Sequence, residues 1–140
     1  MTNISYDNLK VGDRLPVLTT APVSRLDLAL YCGASGDHNP IHVDIDFARN
    51  AGMDDVFAHG MLSMAFLGRL VTDWVPQHQL REYGVRFVAI THVGDAISCE
   101  GEVVEKYETA GEKRVKVALI TRNQDNDVKL KGEAVIGFPG

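Results

Sequence analysis

Between Gly36 and Asp44 the chain reads Gly36-Asp37-His38-Asn39-Pro40-Ile41-His42-Val43-Asp44, which sets a carboxyl at Asp37 and an imidazole at His42 five positions apart. An imidazole with a pKa near ~6.5 can take a proton at neutral pH. A carboxyl normally titrates near ~4 and becomes a proton donor only where burial raises that value, so Asp37 is required to sit in a dry cleft. On an unbroken helix, residues five apart point about 140° away from each other. Pro40 forbids that helix, and a helix end followed by an extended turn can fold both side chains toward one cavity. Asn39, biased to extended geometry by the following proline, can bond locally and fix the turn, and Gly36 suits the helix end. Gly36, Asn39 and Pro40 are therefore framework, and Asp37 with His42 is the candidate acid–base pair.

The elements that must position this pair follow from caps and periodicity. Ser24, with Asp27 three residues later, opens a helix through Leu26, Leu28, Ala29, Leu30 and Cys32, which Gly33 and Gly36 bring to an end. A shorter helix starts near Asp44 or Asp46 and stops at Gly52. Gly60 to Val75, closed by Pro76, is apolar around most of its circumference and must be wrapped by other elements. Its sixteen residues span about 24 Å. Upstream, Arg14 to Thr20 reads as a short edge strand despite Pro16. From Tyr83 the period becomes two, giving strands around residues 85–90, 97–103, 114–119 and 129–138. Gly94-Asp95, Ala110-Gly111 and Asp125-Asn126-Asp127 separate them at hairpin length. The expectation is one α+β domain over residues 1–140, a four-strand antiparallel meander curling around the helix Gly60–Val75.

Composition narrows the function. With 140 residues, 45% hydrophobic and 24% charged, the chain has the make-up of a soluble globular protein. A net charge of −5 and the lack of a basic stripe argue against a nucleic-acid partner. No stretch approaches the ~20 apolar residues of a membrane span, and Met1 to Asp7 lacks the features of a secretory signal. Cys32 and Cys99 lack metal-type spacing and read as buried thiols, which points to a cytoplasmic protein. His38, His42 and His59, with Asp37, Asp44, Asp54 and Asp55, invite a metal reading. No His-x-x-x-His or Glu-bearing helix supports it, and no metal is expected.

Tyr31-Cys32-Gly33-Ala34-Ser35-Gly36-Asp37-His38-Asn39-Pro40-Ile41-His42 resembles the signature of the MaoC-like, R-specific enoyl-thioester hydratases. Ala58-His59-Gly60-Met61-Leu62 is similar to that family's second marker, and Val93-Gly94-Asp95 to its Gly-Asp turn. The resemblance implies a hotdog fold that works as a dimer joined sheet edge to sheet edge. Within the family, length and Val85-Arg86-Phe87 are most similar to the single-domain B subunits of the mycobacterial 3-hydroxyacyl-carrier-protein dehydratases. A homodimer, a dimer of dimers or a heterodimer are thus all implied arrangements.

The resemblance implies reversible addition of water to a trans-2-enoyl thioester carried on coenzyme A or acyl carrier protein, without a cofactor. Asp37 and His42 fall on the acid–base pair and the Gly60 backbone N–H on the oxyanion donor. At a helix N-terminus, free N–H groups carry partial positive charge, and a glycine lets the thioester oxygen approach. Many relatives carry a serine eight residues past that glycine, where this chain has Gly68. His59 reads as orienting the loop rather than reacting. Arg69, Arg81 and Arg86 are candidates for pairing with carrier phosphates. The competing readings are the catalytic half of a heterodimer, a hotdog acyl-thioester hydrolase, and a non-catalytic acyl-binding subunit.

Overall fold

The structure is a computed structural model and describes residues 4–139. The helix α1 (Arg25–Ser35) opens with the expected capping box. Ser24 Oγ accepts the Asp27 N–H at 3.0 Å, and Asp27 Oδ2 accepts the Ser24 N–H at 2.9 Å. Gly33 does not end α1, because a lone glycine costs a helix about 1 kcal/mol without breaking it. Gly36 does end it, in the left-handed conformation with φ 77°. Helix α2 (Ile45–Asn50) is capped by Asp44, whose carboxylate accepts the N–H groups of Asp46 and Phe47. The long helix α3 (Gly60–Trp74) ends one residue short of Val75.

Five strands form one antiparallel sheet: β1 (Leu18–Thr19), β2 (Leu80–Phe87), β3 (Ser98–Thr109), β4 (Glu112–Arg122) and β5 (Val128–Phe138). Their spatial order is β1-β3-β4-β5-β2. The expected meander is thus only partly present. Strands β3, β4 and β5 do follow one another through hairpins, the first turning at Ala110-Gly111 with both residues at positive φ. Strand β2, however, pairs with β5, with Tyr83 opposite Ala134 and Phe87 opposite Leu130. The Gly94-Asp95 turn therefore belongs to a crossover, Val88 to Ile97, that carries the chain from one edge of the sheet to β3. Strand β2 also begins earlier, at Leu80, and stops at Phe87, so residues 88–90 are not strand.

At the opposite edge, the expected strand from Arg14 to Thr20 shrinks to Leu18–Thr19, paired with Cys99 and Ser98. Pro16 has no N–H to give the ladder, so on either side of it Leu15 donates to Gly101 of β3 and Thr20 to Ile97 just ahead of β3.

One core cluster fills the space between the sheet and α3. Leu67, Leu70 and Val71 meet Val103, Val115, Val117, Ala134 and Ile136. The helix is not wrapped on all sides, contrary to expectation: Met61, Ala65 and Arg69 remain exposed because five strands curl around only one side of it. A second cluster, Val23, Leu28, Ala48, Val56 and Ala58, clamps α1, α2 and the bend between them against the N-terminal end of α3. A curled antiparallel sheet around a long central helix is the hotdog arrangement.

Candidate active site

The helix end, the bend and the tip of α3 converge as the spacing of Asp37 and His42 requires. Ser35 Oγ accepts the Asp37 N–H, and Asp37 Oδ1 accepts the Asn39 N–H at 3.3 Å. Asn39 Oδ1 accepts the Ile41 N–H at 3.1 Å and caps the single 3-10 turn Pro40–His42. That turn swings His42 back over the end of α1. A carboxylate oxygen of Asp37 and one ring nitrogen each from His42 and His59 lie within 4.8 Å of one another.

The His42 ring is buried, with 8% of its surface exposed, and its Nδ1 lies 2.7 Å from the Phe57 carbonyl. A carbonyl can only accept, so Nδ1 carries the proton, and in the neutral ring Nε2 then keeps the lone pair. His59 stacks on this ring, with centroids 3.9 Å apart and planes inclined by 27°, while Tyr31 packs edge-on against His59. His59 is 1% exposed, and its Nε2 faces both the Asp37 carbonyl at 3.3 Å and the Cys32 thiol at 3.2 Å. Burial, followed by the neighbouring His42, pushes His59 below the ordinary histidine value, while the Asp37 carbonyl and charge oppose that shift. The neutral ring that results holds the backbone of Asp37. The Ala58-His59-Gly60 marker signalled His59 in the sequence, but nothing local showed that it would sit at the centre of the cluster.

In the first turn of α3 the N–H groups of Leu62 and Ser63 both go to the His59 carbonyl, at 3.1 and 3.3 Å. The amides of Gly60 and Met61 are the donors left without a partner among the described residues. A Cβ on Gly60 would lie 3.0 Å from the Phe87 ring, which leans over this helix tip while remaining 52% exposed.

Two expectations are corrected. Asp37 is exposed in the single chain rather than sealed in a dry cleft, because it heads a surface bend that no other element covers among the described residues. Arg81 is committed to Glu112, donating from Nε at 2.9 Å and Nη2 at 2.8 Å, so of the proposed phosphate partners only Arg69 and Arg86 are free of ion pairs among the described residues. At Gly68 the Tyr83 ring lies against the helix and its hydroxyl donates to the Met64 carbonyl. His38, His78 and His92 are exposed, and Cys32 and Cys99 are buried free thiols, the latter as expected.

By residue type Asp37, His42 and His59 could hold a divalent cation, although bonds near ~2.1 Å would require these atoms to draw closer together. A cavity of about 980 Å³ lies at the other end of α3, between Leu70–Pro76 and the segment Leu9–Leu18, and shares no lining residue with this cluster. Among the described residues no helix is long and apolar enough to cross a membrane.

Comparison with known proteins agrees with the fold. The chain is 30% identical over 132 residues to the mitochondrial 3-hydroxyacyl-acyl-carrier-protein dehydratase of Arabidopsis thaliana, covering 94% of this chain and 78% of that protein. It is 26% identical over 136 residues to the (R)-specific enoyl-CoA hydratase of Rhodospirillum rubrum, covering 96% and 91%. The solved structure of the R-hydratase PhaJ1 from Pseudomonas aeruginosa, unliganded, superposes with a TM-score of 0.84 at 32% identity, covering 98% of this chain and 86% of that one. Residues 10–124 match the MaoC like domain, and the chain belongs to that family.

Proposed function

We propose that this protein is a hydro-lyase, an R-specific enoyl-thioester hydratase or 3-hydroxyacyl-thioester dehydratase acting on coenzyme A or acyl carrier protein thioesters. The observation that carries this reading is the convergence of the Asp37 carboxylate with His42, whose Nδ1 bonds to Phe57 O so that in the neutral ring Nε2 is the basic nitrogen. Membership of a family whose characterised relatives are hydratases and dehydratases supports it.

In the hydration direction His42 Nε2 takes a proton from water as its oxygen bonds to C3. The thioester oxygen gathers negative charge and is held by the Gly60 N–H, with the α3 N-terminus behind it. Asp37 delivers a proton to C2, which completes addition of water and gives the (3R)-3-hydroxyacyl thioester. No metal or cofactor enters these steps.

The exposed state of Asp37 is accounted for by a partner. Strand β2 is an open edge of eight residues, and Phe87, Val88 and Ile90 beside it are large apolar side chains left in solvent. Edges of that length are normally paired or covered. Pairing of two copies along β2 would cover this surface and exclude water from the mouth of the site, the condition under which a carboxyl becomes a competent acid. A homodimer or a dimer of dimers satisfies it, and so does a second, related chain in a heterodimer.

The test is turnover of trans-2-enoyl thioesters of graded length on both carriers, with the configuration of the product determined. Hydration to the 3R product by the chain alone supports the reading. Release of free thiol instead would identify a thioester hydrolase. Tight binding without turnover would identify an acyl-binding subunit, or one half of a heterodimer if adding the other half restores activity.

A further inference from the structure

Lys129 and Asp95, 34 positions apart, form a buried ion pair, with the ammonium 3.5 Å from Asp95 Oδ2 and the residues 5% and 6% exposed. Lys129 Nζ also donates to the Ile90 carbonyl at 2.7 Å. Asp95 accepts the His92 N–H at 2.9 Å and the side-chain amides of Asn123 and Gln124 at 3.3 and 3.4 Å. Burying two charges is expensive, and an apolar pair of similar volume commonly stabilises a fold as well or better. Stability therefore does not explain the pair.

What the pair does is pin the crossover between β2 and β3 to the end of β5. Val88 and Ala89 donate to the Lys129 carbonyl, and Ile90 and His92 are bonded to the pair itself. The segment held this way is the one that grips Phe57 and Ala58, just ahead of α3. Phe57 and His92 form a β-bridge, Ala58 N–H donates to the Thr91 carbonyl at 2.9 Å, and the Ser63 hydroxyl on the first turn of α3 donates to Thr91 Oγ1 at 3.3 Å. Phe57 in turn supplies the carbonyl that holds His42. A continuous path of hydrogen bonds thus runs from the buried charges to the proposed base and to the helix carrying the proposed oxyanion donor.

We propose that Lys129 and Asp95 are positioning residues for the acid–base reaction, setting the place of the Phe57 carbonyl and through it the tautomer and orientation of His42. The proposal rests on the acid–base reading of His42 and goes beyond it by assigning a role to two residues that touch no reacting atom. Lys106 supplies an internal control, another lysine bonded to backbone carbonyls, Tyr6 O at 2.8 Å and Leu9 O at 2.7 Å, but in the N-terminal segment away from the site.

The experiment compares wild type, Asp95→Asn, the charge-free double variant Lys129→Met/Asp95→Asn, and Lys106→Met. Thermal melting, steady-state hydration of crotonyl-CoA and imidazole NMR of the His42 Nδ1–H are measured on each, at a temperature where all are folded. The double variant leaves no orphan charge, so it keeps the test open if a single variant fails to fold. The expected result is a kcat lowered roughly 10- to 100-fold in the Asp95 and double variants, with KM changed less than threefold. Their His42 Nδ1–H signal broadens or exchanges faster than in wild type. Lys106→Met, whatever its loss in melting temperature, keeps the wild-type kcat and the wild-type signal. Wild-type kcat and an unchanged signal in the double variant would overturn the proposal, as would equal losses in Lys106→Met. A wild type without hydratase activity overturns the acid–base reading instead, and the His42 signal then decides the positioning claim separately.

Discussion

Replacing Asp37 by asparagine removes the transferable proton but preserves a side-chain oxygen that can still accept the Asn39 N–H. Asp37→Asn is expected to melt within a few degrees of wild type while losing about 10²- to 10⁴-fold in kcat, the usual worth of a general acid. His59 makes a different prediction. Its proton affinity is lowered in the fold, first by burial and then by His42, so the unfolded chain takes up a proton more readily than the native one. Its contribution is whole above the unfolded value of ~6.5 and is lost as pH falls through the depressed folded value. Melting temperature should therefore be flat above about pH 7 and decline below ~6.5. In His59→Gln that part of the decline should be absent, and an unchanged profile would show that other groups cause it. The bend through Asp37, Asn39 and Pro40 was legible in the sequence because its hydrogen bonds are local, whereas the hold of Phe57 and His59 on His42 was not. The exposure of Asp37 was not, because burial of a surface bend depends on what lies across it.

For the elements, two glycines in contrasting settings test the packing. A Cβ on Gly68 in α3 would meet the Tyr83 ring at 3.4 Å, close to ordinary contact. Gly68→Ala should then stabilise the protein by about 0.5–1 kcal/mol through helix propensity and a less flexible unfolded chain, seen as a higher melting temperature. Gly132 in β5 has no such room, because a Cβ there would run into the Gly84 carbonyl of β2, which is backbone and cannot step aside. Gly132→Ala should lower stability by about 1–3 kcal/mol in the same assay. The caps at Ser24 and Asp44 and the limits of α3 were readable to within a residue or two, since capping and 3.6-residue periodicity are short-range properties. Strand order was not readable. The Gly94-Asp95 turn has the same local chemistry whether it joins neighbouring strands or ends a crossover, and burial of Lys129 depends on Asp95, far away in sequence.

At the scale of the whole molecule, acid should loosen the sheet corner where Glu112 accepts from Arg81 and Arg114. Those two hydrogen bonds hold its carboxyl down at about 2. The depressed value means that its contribution is complete above the unfolded pKa and lost as pH falls from there toward about 2. The difference in melting temperature between wild type and Glu112→Gln should shrink across that window, and a constant difference would refute the assignment. The open β2 edge predicts that sedimentation at micromolar concentration gives a particle of at least two chains. A single chain that still turns over substrate would remove the argument for a covered site.

The central claim is that Asp37 and His42 act as one unit, and kinetics of the two single variants and the double variant test it most directly. Wild type, Asp37→Asn, His42→Gln and the double variant are compared on crotonyl-CoA by loss of the enoyl-thioester absorbance. The account predicts turnover by wild type, a loss of about 10²-fold or more in each single variant, and a double variant no slower than the worse of the two. An Asp37→Asn protein as fast as wild type, or losses that simply multiply in the double variant, would contradict it.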